Sequence, residues 1–144
     1  QGHVALYRSV LHHPDITLPS WFLEVVASYT SIKNNCAYSL AHHFHNAREL
    51  IADDERADRI YGALSDGKPE AQFSGKELAL LRYADKLTLC VGEMKKSDAD
   101  ALRNAGCDDG EILEVNQVVA YFNYSNRLLN GLGVTTEGDA VGYY

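Results

Sequence analysis

Apolar residues recur along most of the chain at spacings of three and four, and polar stretches separate the segments that carry them. The segment LPSWFLEVVASYTSI shows this spacing, with Pro19 at a position that suits the start of a helix. An earlier segment, VALYRSVLHH, is followed at once by Pro14, which ends a helix. No segment shows the alternation of apolar and polar residues that is typical of strands, so the pattern predicts an all-α fold.

Residues with capping side chains divide the pattern into about six or seven helices. Asn34 and Asn35 are predicted to begin a helix that runs through Cys36 to about Ile51. Other predicted helix starts are Asp53 or Asp54, Ser74 in a capping box with Glu77, Ser97, and Asp108 or Asp109, with Gly67, Gly106, Gly131 and Gly133 near helix ends. The prediction is a single-domain helical bundle.

Composition and charge limit the classes of partner that the protein is expected to bind. A chain of 144 residues with 46% hydrophobic and 23% charged residues is typical of one globular domain. Its formal net charge of −7 disfavours nucleic acid and anionic membranes as partners, because both select clustered Lys and Arg. No apolar run approaches the roughly 18 residues of a membrane span.

The two ends of the chain and its cysteines set further expectations. Residues 1–3, QGH, are interpreted as a tag remnant, which leaves 4–144 as the domain. Cys36, Cys90 and Cys107 are too few and too scattered for a disulfide framework, which predicts a reducing, cytoplasmic setting. Cys90 and Cys107 are predicted to act mainly as small hydrophobic residues.

The segment NNCAYSLAHHFH, residues 34–45, carries the main candidate chemistry. If the helix begins at residue 34 or 35, Cys36 lies in its first turn, where backbone N–H groups favour a thiolate. At about 100° per residue, Ser39 and His43 share a side with Cys36. His42 and His45 point away and are predicted to face solvent or a neighbouring subunit.

An imidazole beside a thiol can accept its proton, and a carboxylate can hold that imidazole in place. Glu24 is the candidate carboxylate, because it lies in the apolar stretch WFLEVVASY. A buried Glu24 needs a partner, whereas a Glu24 on the exposed edge of its helix does not. The sequence leaves both interpretations open.

Two other polar clusters are interpreted as structural. His42 and His45 have the i, i+3 spacing of metal ligands, but without a second cluster no metal site within the chain is predicted, and only a site shared between subunits stays open. Asn123, Asn126 and Arg127 lie among apolar residues and predict a buried hydrogen-bond network, with anion binding by Arg127 as the weaker alternative.

Glu24, the segment NNCAY and His43 resemble the motif of the carboxymuconolactone decarboxylase superfamily, in its alkylhydroperoxidase D-like branch. In that motif a glutamate precedes Cys-x-x-Cys by twelve residues, and a histidine follows the second cysteine by four. The positions correspond here to Glu24, Cys36, Ser39 and His43. The segment YFNYSNRLLNGLGV resembles the uncharacterised peroxidase-related proteins of this superfamily, and the whole resemblance covers residues 18–144.

This resemblance implies an all-helical homo-oligomer, as a dimer, trimer or hexamer, that acts as an antioxidant thiol peroxidase or disulfide reductase. The small-molecule substrate would be a hydroperoxide and the partner a thiol reductant, with no haem, flavin or other cofactor. Two motif cysteines would cycle between dithiol and disulfide while the glutamate and histidine relay protons. The second cysteine would attack the peroxide.

That second position is Ser39 in this chain, and a hydroxyl forms neither a sulfenic acid nor a disulfide. Cys36 could act alone, resolved by an external thiol or by Cys90 or Cys107. The pocket could instead serve another reaction. Ser39 could also be an engineered substitution.

Three functions follow from these observations. The first is a thiol-dependent peroxidase that uses Cys36 with a Glu24–His43 proton relay. The second is a cofactor-free decarboxylase or lyase in which His43 acts as acid and base on a small organic acid and Ser39 orients it. The third is a non-catalytic protein that binds a small molecule.

Overall fold

A computed structural model describes residues 1–142, and residues 143 and 144, the last two of the predicted domain, lie outside the described residues. The described chain forms seven α-helices and no strand, which confirms the predicted all-α fold. No helix in this part of the chain has both the length and the apolar character that crossing a membrane requires. The helices are α1 (Gly2–Leu11), α2 (Ser20–Lys33), α3 (Ala37–Ile51), α4 (Asp54–Ser65), α5 (Gly75–Leu89), α6 (Lys96–Asn104) and α7 (Asp109–Gly131), with 3₁₀ turns at Pro69–Ala71 and Val91–Glu93.

Helix α2 is the centre of the bundle. All its residues from 22 to 31 are buried, and it packs against α3, α5 and α7. Because apolar neighbours surround it, its polar side chains need internal partners. The hydroxyls of Ser28, Thr30 and Ser31 each lie within 2.9 Å of the backbone carbonyl four residues earlier. Glu24 is the one carboxylate in this helix and depends on a partner from outside it.

A tight turn joins α2 to α3 and corrects the predicted start of α3. Asn35 has a φ of 53°, and its N–H donates to the Ile32 carbonyl at 3.0 Å. The Cys36 N–H donates to the Ser31 carbonyl at 2.8 Å, which completes a Schellman motif at the end of α2. The prediction that α3 begins at Asn34 or Asn35 is therefore wrong. Cys36 is its N-cap residue and lies outside its first turn.

Two other predicted helix starts are confirmed. The Asp53 carboxylate accepts the N–H of Arg56 at 2.9 Å and caps α4. Asp108 accepts the N–H of Glu111 at 2.7 Å, and the Glu111 carboxylate accepts the Asp108 N–H at 3.1 Å. This capping box begins the longest helix, α7.

Two capping predictions are wrong. Ser74 is the N-cap residue of α5 but makes no side-chain capping hydrogen bond, so the predicted box with Glu77 does not form. Helix α6 begins at Lys96, before Ser97. Its first turn is held by Asp98, whose carboxylate accepts the Lys95 N–H at 2.8 Å.

Candidate active site

Glu24 and His43 form a buried pair across the α2–α3 hairpin. Glu24 is 3% exposed, and its Oε2 lies 2.8 Å from Nδ1 of His43. The side-chain amide of Asn46 donates to Oε1 at 3.4 Å. Of the two interpretations of Glu24, the structure therefore shows the buried, paired one. Because a carboxylate only accepts, the proton of the contact lies on Nδ1, and Nε2 is the basic atom of the neutral ring.

A cavity of about 710 Å³ lies beside this pair, and its lining is mainly apolar. Helix α3 contributes His43, Ser39 and His42 to its wall. The ring of His43 packs edge-on against Phe122 at 4.5 Å, which helps to fix its plane. The other lining residues come from the N-terminal part of the chain (His3, Val4, Tyr7, Arg8, His12), from α3 (Tyr38) and from α7 (Tyr121, Ser125, Leu129).

Cys36 does not have the environment that the sequence predicts. It is 1% exposed and is not among the described residues that line the cavity. Burial raises the pKa of the Cys36 thiol and outweighs the Ser39 backbone N–H, which lowers it. The predicted stabilised thiolate is therefore wrong, because the tight turn places the residue in the core instead of at an open helix end.

The other two cysteines lie in different environments. Cys107 is buried, as predicted, and burial raises the pKa of its thiol. Cys90 is exposed at the end of α5. All three cysteines are free thiols.

Ser39 occupies the cavity wall one helical turn before His43. It is 2% exposed, and its Oγ lies 2.8 Å from Oγ of Ser31 on α2. The structure thus places Ser39 and His43 in the cavity wall, with Glu24 paired to His43, whereas Cys36 is not among the described lining residues.

The prediction that His42 faces solvent or a neighbouring subunit is wrong, because His42 is 1% exposed and is covered by its own chain. The segment after α7 folds back over it, and the Gly142 N–H donates to its Nδ1 at 3.1 Å. Asp139 lies 3.8 Å from its Nε2. Burial lowers the pKa of His42 in spite of this carboxylate. His45, by contrast, is exposed, as predicted.

The predicted polar network on α7 forms only in part: it centres on Asn123, which is half-buried, and its member Arg127 is exposed instead of buried. Oδ1 of Asn123 accepts from the Asn34 side chain and from Arg127, both at 3.0 Å, and its Nδ2 donates to Thr88 at 3.2 Å. Asn126 points elsewhere, toward Ser31. Within residues 1–142, no group of three or more His, Cys, Asp or Glu side chains is placed to hold a metal ion.

The lining of the cavity by the N-terminal helix α1 was not predicted from the sequence. His3 and Tyr7, and likewise Val4 and Arg8, are four residues apart on α1 and line the cavity. That i, i+4 spacing of aromatic and polar residues was the available signal. The His3 ring also contacts the Tyr121 hydroxyl at 2.9 Å, which ties α1 to α7.

Three solved structures share this architecture. An uncharacterised peroxidase-related protein from Silicibacter sp. aligns with a TM-score of 0.80 and 23% identity, over 93% of this chain and 68% of its own. A peroxidase-related protein with an alkylhydroperoxidase AhpD core from Ralstonia eutropha has a TM-score of 0.76 and 23% identity, over 90% and 66%. A protein of unknown function from Agrobacterium tumefaciens, described as a candidate antioxidant defence protein AhpD, has a TM-score of 0.76 and 21% identity, over 93% and 87%.

The bundle therefore has the same all-α fold as these three proteins. In particular it has the alkylhydroperoxidase D-like fold that the motif predicted. No protein-family model and no curated protein matches the chain.

Proposed function

We propose that the protein is an enzyme of the alkylhydroperoxidase D-like superfamily that catalyses proton transfer on a small organic acid, as a decarboxylase or lyase does. One observation carries this proposal. The His43 imidazole, held by Glu24 at 2.8 Å, lines the cavity, whereas the Cys36 sulfur is buried outside its lining.

The acid–base steps use the chain's own residues. Nε2 of His43 takes the proton of a carboxylic acid, and Glu24 stabilises the imidazolium that forms. The carbon–carboxylate bond then breaks, carbon dioxide leaves, and the electron pair moves into an adjacent carbonyl system. The imidazolium then donates its proton to the carbon that lost the carboxylate, which restores the neutral His43 ring. Ser39 orients the substrate on the same wall.

A second candidate is the thiol peroxidase, because the proteins that share this fold are named peroxidase-related. In that reaction the Cys36 thiolate attacks a peroxide oxygen, the O–O bond breaks, and an alcohol leaves with a proton from His43. One external thiol then condenses with the Cys36 sulfenic acid to a mixed disulfide, with loss of water, and a second external thiol displaces Cys36 as the free thiol. Burial of Cys36 and the raised pKa of its thiol favour the acid–base function instead.

Two assays separate these functions. In the first, the protein is incubated in D₂O with a panel of β-keto acids and carboxylactones, and NMR follows carbon dioxide release and deuterium incorporation. The second follows cumene hydroperoxide consumption with dithiothreitol. The proposal predicts turnover in the first assay that His43→Gln abolishes. Cys36-dependent peroxide consumption without turnover of any carbon acid would contradict it.

A further inference from the structure

Three buried oxygen atoms form a row that leads from α2 to the cavity. Oγ of Ser31 lies 2.9 Å from the Ala27 carbonyl oxygen and 2.8 Å from Oγ of Ser39. Ala27 and Ser31 are fully buried, and Ser39 is 2% exposed. At these distances no water fits between the oxygens, so the protons of the two contacts come from the two hydroxyl groups.

Counting protons fixes the direction of both hydrogen bonds. Two oxygens at such distances repel each other unless a proton lies between them. A carbonyl cannot donate, so the contact with Ala27 uses the single proton of Ser31. The contact between the two serines then uses the proton of Ser39. Ser39 is the donor to Ser31, and only its lone pairs are available to the cavity.

Asn126 fits this direction. Its amide places one polar atom 3.4 Å from Oγ of Ser31, and Nδ2 has no hydrogen-bond partner among the described residues. Rotating this amide by 180° brings the buried N–H to Ser31 and gives it an acceptor. Ser31 then accepts from Asn126 and Ser39 and donates to Ala27.

We propose that Ser31 is a positioning residue that fixes Ser39 as a hydrogen-bond acceptor toward the cavity. Ser39 and the basic Nε2 of His43 then present two acceptors on consecutive turns of α3. Such a wall selects a small molecule whose reacting group is an O–H donor, such as a protonated carboxylic acid, an enol or a phenol. This substrate class rests on the proposed function, because it takes His43 as the base.

The direction of the hydrogen bonds also excludes one role for Ser39. The proton of a serine nucleophile points to its base, whereas that of Ser39 points away from the cavity to Ser31. Ser39 is thus a binding group for the substrate and does not act as a serine-hydrolase nucleophile.

Neutron diffraction on deuterium-exchanged crystals of the full chain tests the direction itself. The proposal places the Ser31 deuterium on the line to the Ala27 oxygen, and the Ser39 deuterium on the line to Ser31. A Ser39 deuterium that points into the cavity would overturn it. This result does not depend on any activity.

A pair of matched probes tests the consequence for binding. Phenol and anisole differ by one hydroxyl proton, and NMR titration gives the affinity of each. One hydrogen bond predicts that phenol binds about fivefold more tightly. Ser39→Ala and Ser31→Ala should each reduce this preference at least twofold, and the double variant should reduce it no further than Ser39→Ala alone.

Thr30→Val is the matched control, because it removes another buried hydroxyl of α2, one that donates to the Val26 carbonyl at 2.9 Å. It should leave the phenol preference unchanged. An unchanged preference in Ser31→Ala, or an equal loss in Thr30→Val, would overturn the proposal. A loss of carbon-acid turnover with the preference intact would concern only His43, so the two failures are distinguishable.

Discussion

The carboxylate of Glu24 and the imidazole of His43 meet at 2.8 Å, with side chains only 4% and 10% exposed. They are 19 residues apart and belong to the two helices of one hairpin. Because the turn at Asn35 sets how α2 and α3 pack, it also sets the alignment of this pair. The candidate site is thus formed by the α2–α3 hairpin and the cavity beside it.

Glu24→Gln tests the electrostatic part of the relay. The amide keeps the shape and an acceptor for Nδ1–H, but loses the charge that stabilises the imidazolium. We expect turnover to fall by about 10²-fold, within the range of general acid–base effects. Steady-state kinetics measures this loss, and circular dichroism should show an unchanged helical fold. Wild-type turnover in Glu24→Gln would show that the carboxylate only supports the structure.

Alkylation with iodoacetamide tests the environment of Cys36. Burial raises the pKa of its thiol, whereas Cys90 is exposed on the same chain and serves as the internal control. At pH 8 we expect Cys90 to react at least tenfold faster than Cys36, because the reactive species is an accessible thiolate. Mass spectrometry of the native protein gives both rates. Faster modification of Cys36 than of Cys90 would show that Cys36 is an accessible thiolate, as the sequence predicted.

Ser39→Cys tests what the site lacks for redox chemistry. This substitution places a thiol on the cavity wall near His43 and restores the two-cysteine motif. We expect hydroperoxide consumption with dithiothreitol to rise at least tenfold over wild type. Adding Cys36→Ala to this variant removes the resolving thiol and should lower the gain. An unchanged rate in Ser39→Cys would mean that the cavity does not admit hydroperoxides.

Acid should destabilise the fold through His42. Burial lowers its pKa in the folded state, so the unfolded chain binds the proton more readily. Its contribution to stability is present above the unfolded pKa of about 6.5 and is lost as pH falls, at up to about 1.4 kcal/mol per pH unit. Urea unfolding between pH 5 and 8 measures this slope. His42→Gln should flatten it, and an unchanged slope would contradict the assignment.

Much of the fold could be predicted because local chemistry decides it. Helical spacing predicted the bundle, and Asp53 and Asp108 cap their helices as side-chain chemistry requires. The start of α3 could not be predicted in this way. Asparagine suits both an N-cap and a left-handed helix end, and only packing of the hairpin selects the second for Asn35.

The candidate site was predictable only in part. Motif spacing brought Glu24, Ser39 and His43 together correctly, because one helical turn and one hairpin relate them. The burial of Cys36 depends on the tight turn, and that of His42 on a segment about 100 residues later, with which its Nδ1 shares a hydrogen bond. The helical spacing of apolar residues predicts neither the turn before Cys36 nor the packing of the later segment on His42.

The most direct measurement of the central claim compares Cys36→Ala with His43→Gln in the same carbon-acid reaction. The account predicts that Cys36→Ala retains turnover within about twofold of wild type, and that His43→Gln loses at least about 10²-fold. If removal of the sulfur abolishes the reaction while His43→Gln leaves it intact, the claim that His43 carries the chemistry is wrong.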